Sequence, residues 1–149
     1  MITKMSHTTL FVTDQAKAYE FYVGKLGFKV HTDVEMDGRD CGDGQPPVKY
    51  RWLTLHAPEQ PELEIIIMPP AGLPPDAEQA IKLLLDRGMM GACVFHTKDC
   101  RAAYEELKAK GVVFRTEPKE QAYGIECIME DGCGNWFSLT EPKEGVDFA

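Results

Sequence analysis

The sequence predicts an α+β fold built from two tandem βαβββ modules. Two observations lead to this fold class. The chain repeats a strand–helix–strand pattern. Asp14 and Asp99 occupy matching positions in the two copies, as do Tyr19 and Tyr104, and both pairs are separated by the same number of residues along the sequence. In addition, each helix-like segment is followed by segments of alternating apolar and polar residues, which are typical of half-buried β-strands.

The two predicted helices carry the same signals at their ends. Asp14 and Asp99 come directly before the helices and can accept hydrogen bonds from the free amides of the first turn. Gly27 and Gly111 follow them, where a helix often ends in a residue that tolerates positive φ. Between these ends apolar residues recur at helical spacing, and the two sets are Tyr19, Tyr22, Val23 and Leu26, and Cys100, Ala103, Tyr104 and Leu107.

Three further strands complete each module. They are expected at 28–36, 48–57 and 62–68 in the first half and at 111–117, 123–130 and 135–141 in the second. We interpret the whole chain, 1–149, as one domain. It divides into module one (1–70), a linker (71–90), module two (91–141) and a tail (142–149). The linker is expected to hold a short helix that Asp76 caps and Gly88 ends.

Composition and charge narrow the classes of function. The chain has 149 residues and a formal net charge of −8, which argues against nucleic acid because phosphate binding needs clustered lysine and arginine. No apolar run approaches the roughly 20 residues that span a bilayer, and the N-terminus lacks the pattern of a signal peptide. We therefore expect a cytoplasmic protein that has neither nucleic acid nor a membrane as its partner.

The five cysteines form no CxxC pair, so we expect free thiols rather than a zinc site. Cys93 and Cys127 fall in predicted strands and are expected in the core. Cys133 lies in a glycine-rich turn and is the thiol expected to be most exposed.

Strand alternation divides the predicted sheets into two faces. One face is apolar and should pack on the helices, and its members are Leu10, Val12, Leu63, Ile65, Ile67, Cys93, Phe95, Phe137 and Leu139. The other face mixes polar with bulky apolar residues, and its members are His7, Thr9, Phe11, Glu62, Glu64, Ile66, Met68, Ala92, Val94, His96, Trp136, Ser138 and Thr140. A mixed face is typical of a small-molecule cleft, although a dimer interface with paired polar residues would give the same pattern.

This organisation resembles the vicinal oxygen chelate superfamily, which includes lactoylglutathione lyase, extradiol dioxygenases, fosfomycin-modifying enzymes and bleomycin-binding proteins. The resemblance covers nearly the whole chain, and it implies that the two tandem βαβββ modules form a curved, incomplete mixed β-barrel around a central cleft, with the helices outside. It rests on the paired βαβββ repeats, on "HTTLFVTDQAKAYEFYVGKLGF" and "AAYEELKAKGVVF", and on the terminal "EDGCGNWFSLTEP". That last stretch is similar to the family's D-P-x-G-N turn before the final strand, with Gly132 in place of the proline.

The resemblance implies where metal-using relatives would hold a divalent cation. His7 matches the first ligand position, Glu64 the second, Ala92 the third and Ser138 the fourth. Alanine has no donor atom, and a serine hydroxyl is a poor substitute for a carboxylate. His96 cannot replace Ala92, because four strand residues span roughly 13 Å and a metal–nitrogen bond is about 2 Å. We therefore expect no metal or other cofactor; the alternative is Fe, Mn, Ni, Zn or Co held through His7 and Glu64.

Eight residues are candidates for contact with a ligand. They are His7, Arg51, Trp52, Glu64, His96, Tyr123, Trp136 and Ser138. His7 and Glu64 would form a polar pair that orients the ligand, Arg51 could anchor a carboxylate or phosphate, and the aromatic residues would offer stacking surfaces. Each also has a plain structural explanation in packing or hydrogen bonding. Glu126 and Glu130 could approach the site, but the sequence leaves the facing of their strand open.

Three functions fit these features, and a homodimer is expected in each. The first is a non-metal small-molecule binding protein of the resistance type, with a cationic or aromatic ligand. The acidic segment 33–44 supports a cation, although such a segment can also be a solvated loop. The second is a metal-dependent lyase, isomerase or extradiol dioxygenase with an irregular ligand set, in which His96, Tyr123 or Glu126 transfers protons. The third is a non-catalytic interaction domain whose concave face is filled by its partner protomer.

Overall fold

The computed structural model describes residues 1–38, 44 and 46–146. Part of the acidic segment, including Cys41, and the last three residues of the tail lie outside this description. Within it, two mixed sheets and three helices form an α+β fold, and the sheets are not closed into a barrel. The predicted class and the incomplete barrel are therefore confirmed.

Module one contains the predicted elements in the predicted order. Its strands are β1 (His7–Phe11), β2 (Lys29–Met36), β3 (Tyr50–Ala57) and β4 (Gln60–Met68). Helix α1 (Gln15–Tyr19) continues directly as a π-helical segment, Glu20–Lys25. The strand order is β1-β4-β3-β2, with β1 parallel to β4 and the other neighbours antiparallel. We call this sheet A.

The linker helix α2 (Pro75–Asp86) starts one residue before the predicted cap. Asp76 therefore lies in the first turn and does not cap the helix, whose N-terminal flanking residue is Pro74. Proline suits the first helical position, because its missing amide would have no partner there. The helix ends as expected before Gly88, which has a φ of 63°.

Module two differs from the prediction in one segment. Its elements are β5 (Met90–His96), α3 (Cys100–Ala109), β6 (Val113–Phe114), β7 (Lys119–Gln121), β8 (Gly124–Glu130) and β9 (Asn135–Pro142). They form sheet B in the order β5-β9-β8-β6, and β7 also pairs with β8. The single strand predicted at 111–117 is wrong in extent. The Thr116 hydroxyl accepts the hydrogen bond of the Ile128 amide there, which replaces a regular ladder bond and separates β6 from β7.

The repeated aspartates and glycines act as the sequence predicts. The Asp14 carboxylate accepts from the amides of Ala16 and Lys17, and Asp99 accepts from the amide of Ala102. Gly27 and Gly111 have φ values of 77° and 80°, which only glycine adopts without strain. The duplication is therefore visible in local geometry as well as in sequence.

One buried core joins the two modules. The helix-bearing face of sheet A contributes residues with no exposed surface, and these are Leu53, Leu55 and Ile67. Tyr22, in the π-helical segment, packs its ring edge-on against Phe137 of sheet B at 5.9 Å between centroids. Phe28 and Phe95 make a second contact between the modules at 5.5 Å. Because both sheets use their helix-bearing faces for this core, their other faces, which we call the open faces, remain uncovered by it.

Two expectations about cysteines are wrong. Cys133 is only 1% exposed, because the turn that holds it folds onto module one and its carbonyl accepts from the amide of Thr13. Cys93 is exposed, because β5 is irregular at that point and does not continue the expected alternation. Cys127 is buried, as expected.

Candidate functional site

The first polar cluster on an open face centres on Glu64. His7 and Glu64 are directly opposite each other in the parallel pairing of β1 with β4. The Nε2 atom of His7 lies 3.4 Å from Oε2 of Glu64. The sequence analysis identified both residues through their match to the ligand positions that the resemblance implies, and the parallel pairing of β1 with β4 brings them together.

His31 is a member of this cluster that the sequence analysis did not identify. A register shift between Val30 and Thr32 leaves His31 as an extra residue in β2. Such a bulge re-aims a side chain, and here Nδ1 of His31 lies 3.1 Å from Oε1 of Glu64. Nothing in the amino-acid pattern of β2 marks the bulge, so strict alternation could not place this histidine beside the carboxylate.

The environment of Glu64 keeps its carboxylate ionised. Burial raises its pKa, but the neighbouring Thr54 hydroxyl and the imidazoles of His31 and His7 together hold the pKa below its usual value. Oε2 of Glu64 and Oγ1 of Thr54 are both buried atoms without a completed hydrogen bond. The cluster is thus partly unsatisfied and faces outward from the sheet.

The second cluster lies on the open face of sheet B and centres on Glu126. Oγ of Ser138 donates to Oε1 of Glu126 at 2.5 Å, and the Tyr123 hydroxyl donates to Oε2. This hydrogen bond to Glu126 raises the pKa of the Tyr123 hydroxyl. Oγ1 of Thr140 lies 2.8 Å from the Ser138 hydroxyl. The structure therefore unites Tyr123 and Ser138 through a carboxylate whose facing the sequence left open.

His96 and Trp136 lie on the same sheet but have different surroundings. His96 is exposed and is paired in register with Thr140, beside the Glu126 cluster. The Trp136 ring covers Gly91, where an added Cβ would come within 2.6 Å of the indole. The Arg115 guanidinium lies 5.9 Å from the centre of the same ring. Trp136 is consequently enclosed between these two residues.

Arg51 and Trp52 occupy opposite faces of sheet A. Arg51 forms two hydrogen bonds with Asp33, at 2.7 and 2.8 Å, and its guanidinium lies 5.6 Å from the centre of the Tyr19 ring of α1. Arg51 therefore lies on the helix-bearing face, apart from the Glu64 cluster. Trp52 is half-buried on the open face, opposite Val34 of β2.

The residues do not form the four-ligand metal centre that the resemblance implies. A register shift between Gly91 and Val94 disturbs β5, and Ala92 packs against the buried core. Ser138 is engaged with Glu126 instead of Glu64. Across 1–38, 44 and 46–146, no group of three or more histidine, cysteine, aspartate or glutamate residues is arranged to hold a metal ion.

Comparison with known families gives the class of protein that this fold belongs to. The chain belongs to the Glyoxalase/Bleomycin resistance protein/Dioxygenase superfamily, whose family model matches residues 4–139. The confirmed membership agrees with the resemblance seen in the sequence. Among the described helices, none has the length and apolar character needed to cross a bilayer.

Particular relatives are similar along almost their whole length. The uncharacterized protein YurT of Bacillus subtilis (strain 168) is 34% identical over 139 residues, which are 93% of this chain and 98% of that protein. The crystal structure of UcmS2 is 33% identical with a TM-score of 0.82, covering 95% of this chain and 99% of that one. The crystal structure of TnmS3, an antibiotic binding protein from Streptomyces sp. CB03234, is 25% identical with a TM-score of 0.68, covering 95% and 98%.

Proposed function

We propose that this protein binds a small organic molecule on its open sheet faces and does so without a catalytic metal. The observation that carries the proposal is that each open face holds a preformed polar cluster next to exposed apolar side chains. TnmS3, which is similar over 95% of this chain, is an antibiotic binding protein, and this supports a ligand of the same broad kind.

The apolar part of the proposed site consists of exposed side chains on the two open faces. Val34 and Met36 on β2 are 45% and 42% exposed, and Val94 on β5 is 58% exposed. Ordered strands that present apolar residues beside a few oriented polar groups are typical of ligand-binding surfaces. Burial of these residues by a ligand would contribute roughly 25 cal/mol for each Å² of apolar surface removed from water.

The polar clusters would supply orientation. His7 and His31 hold the carboxylate of Glu64, and Ser138 and Tyr123 hold that of Glu126, so each acceptor is fixed before a ligand arrives. Fixed groups lower the entropic cost of binding, because fewer rotamers are lost when the complex forms. The protein would then capture its ligand reversibly and leave its covalent structure unchanged.

A homodimer belongs to the same proposal. A second copy would cover the part of the open faces that the ligand leaves exposed, so that the ligand lies between the two copies. Sedimentation equilibrium should give twice the chain mass of 16.7 kDa. A strict monomer at all concentrations would contradict this part of the proposal.

A thermal-shift screen with antibiotics of several chemical classes tests the function. A ligand at about 100 times its Kd should add about 2.7 kcal/mol to the free energy of unfolding. Glu64→Gln should weaken binding by about tenfold, since it removes a charged acceptor. Glu106→Gln, an exposed substitution on α3, is the matched control and should bind like the wild type. No stabilisation by any class would count against the proposal.

A metal-dependent lyase, isomerase or extradiol dioxygenase is the second candidate. One observation favours it: Oε2 of Glu64 has no completed hydrogen bond, and two imidazoles lie on the same carboxylate. Such donors suit Fe, Mn, Ni, Zn or Co, which would supply Lewis-acid chemistry when bound. Elemental analysis of the purified protein separates the two candidates. Stoichiometric metal that disappears in His7→Ala would overturn the metal-free proposal.

A further inference from the structure

Glu126 differs from Glu64 in the partners of its carboxylate. The two oxygens of Glu126 accept from the hydroxyls of Ser138 and Tyr123, which are neutral donors. In the described part of the chain no cation pairs with Glu126, and Lys119, its cross-strand neighbour, is exposed and makes no ion pair with it. Glu64 by contrast already contacts two imidazoles. The carboxylate of Glu126 is therefore held by neutral hydroxyl donors, whereas the oxygens of Glu64 are already in contact with two histidine rings.

The partly buried surroundings of Glu126 strengthen the attraction of its carboxylate for a cation. Glu126 is half-buried in the middle of sheet B, and Ser138 is only 5% exposed. A partly desolvated carboxylate interacts more strongly with an added cation than a fully hydrated one does, because the local dielectric constant is lower. The two hydroxyl donors also fix the orientation of the carboxylate, so a cation would meet a preformed acceptor.

An apolar platform adjoins the carboxylate. On this face, one row of side chains across β5, β9 and β8 consists of Val94, Ser138 and Ile128. The next row on the same face consists of His96, Thr140 and Glu126. Val94 is 58% exposed and Ile128 is half-buried. An acidic group at one end and two aliphatic side chains beside it match a molecule with a charged head and an apolar body.

We infer that the open face of sheet B recognises an organic cation, whose protonated amine donates to Glu126 while its apolar body lies over Val94 and Ile128. The inference rests on the proposed function and specifies its ligand class. Ser138 and Tyr123 are positioning residues that orient the carboxylate. Glu64 is assigned no part in selecting the charge, because its two oxygens are already in contact with the rings of His7 and His31.

Three probes that share one ring system test the inference with the full chain. They are 2-naphthylmethylamine, 2-naphthylmethanol and 2-naphthoate, and their Kd values are measured by isothermal titration calorimetry. The amine should bind at least about tenfold more tightly than the alcohol, as expected for one charge-assisted hydrogen bond, and the carboxylate should bind most weakly. In Glu126→Gln the amine and the alcohol should bind about equally. Glu106→Gln, the exposed substitution on α3, is the matched control and should keep the preference.

A second variant keeps the test decisive if Glu126→Gln does not fold. Val94→Lys replaces an exposed side chain that takes no part in the hydrogen bonds of Glu126, and it places an ammonium on the same face of sheet B, one row from Glu126. It should abolish the preference for the amine over the alcohol. A variant that keeps the tenfold preference would overturn the role of Glu126.

The outcomes separate this inference from the proposed function. If the alcohol binds as tightly as the amine, the choice of an organic cation is wrong and small-molecule binding stands. If Glu64→Gln loses the preference for the amine and Glu126→Gln keeps it, the ammonium binds at Glu64 and the inference about Glu126 is wrong. If no naphthyl compound binds and the antibiotic screen also fails, both proposals are overturned.

Discussion

Asp131 is a buried carboxylate that connects the modules. It is 4% exposed and accepts from four donors: the Tyr22 hydroxyl at 2.7 Å, the Asn135 side chain, and the amides of Cys133 and Asn135. Burial, together with the adjacent Asp131, raises the pKa of Tyr22 well above its usual value. The side chain of Asn135 also donates to the carbonyl of Phe11, at the end of β1. The glycine-rich turn of module two is thereby fixed onto module one.

Tyr22→Phe tests this connection. The change removes one donor and leaves a buried carboxylate less satisfied, which should lower the free energy of unfolding by about 1–3 kcal/mol. Chemical denaturation followed by fluorescence measures the difference. Tyr104→Phe is the control, because its hydroxyl only accepts from the solvent-accessible Lys108 ammonium and its loss should cost less than about 0.5 kcal/mol. Equal losses in both variants would contradict a special role for Asp131.

Asp33 gives a prediction about pH. The hydrogen bonds from Arg51 hold the pKa of Asp33 below its usual value of 3.8. A carboxylate with a lowered folded-state pKa stabilises the protein above the unfolded pKa and loses that effect as pH falls through the folded value. Because both side chains are 36% exposed, solvent screening limits the pair to about 0.2–1 kcal/mol.

Asp33→Asn should therefore be less stable than the wild type at pH 6 by that small amount. This difference in the free energy of unfolding between the two chains should disappear as the pH falls below 3.8, the usual pKa of an aspartate side chain. Urea denaturation at a series of pH values measures both chains side by side. A gap that grew on acidification would show that the sign of the argument is wrong.

At the scale of elements, the sequence predicts regular features and misses irregular ones. Capping aspartates, terminal glycines and apolar spacing predict α1 and α3 because each signal acts within a few residues. The bulges in β2 and β5 are set by pairing across strands, so alternation along one strand cannot show them. This is why His31 was missed and why Ala92 was expected on the open face.

The bulge in β5 leads to a prediction about metal binding. Restoring the donors implied by the superfamily, with Ala92→His and Ser138→Glu together, should not create a stoichiometric metal site. The reason is that residue 92 packs against the buried core and cannot reach Glu64 without a change of register. Titration with Co²⁺, read by its visible absorption, and elemental analysis measure the outcome. One tightly bound ion per chain would contradict the assigned direction of residue 92.

At the scale of the whole molecule, one core and two open faces result from the duplicated module. The duplication, the order of the elements along each module and the presence of a mixed face could be read from the sequence, because they depend on residue spacing alone. The grouping of Tyr123, Glu126 and Ser138 could not, since it depends on which face of β8 carries Glu126. The placement of Arg51 could not either, because its pairing with Asp33 lies across two strands.

Chemical-shift mapping of the ¹⁵N-labelled protein during titration with an identified ligand tests small-molecule binding on the open faces most directly. The account predicts that the amides with perturbed chemical shifts cluster on the strands around Glu64 and Glu126, including His7 and Ser138. The amide chemical shifts of α2 and α3 should not change. Perturbations confined to the helices, with the strand amides unchanged, would contradict it.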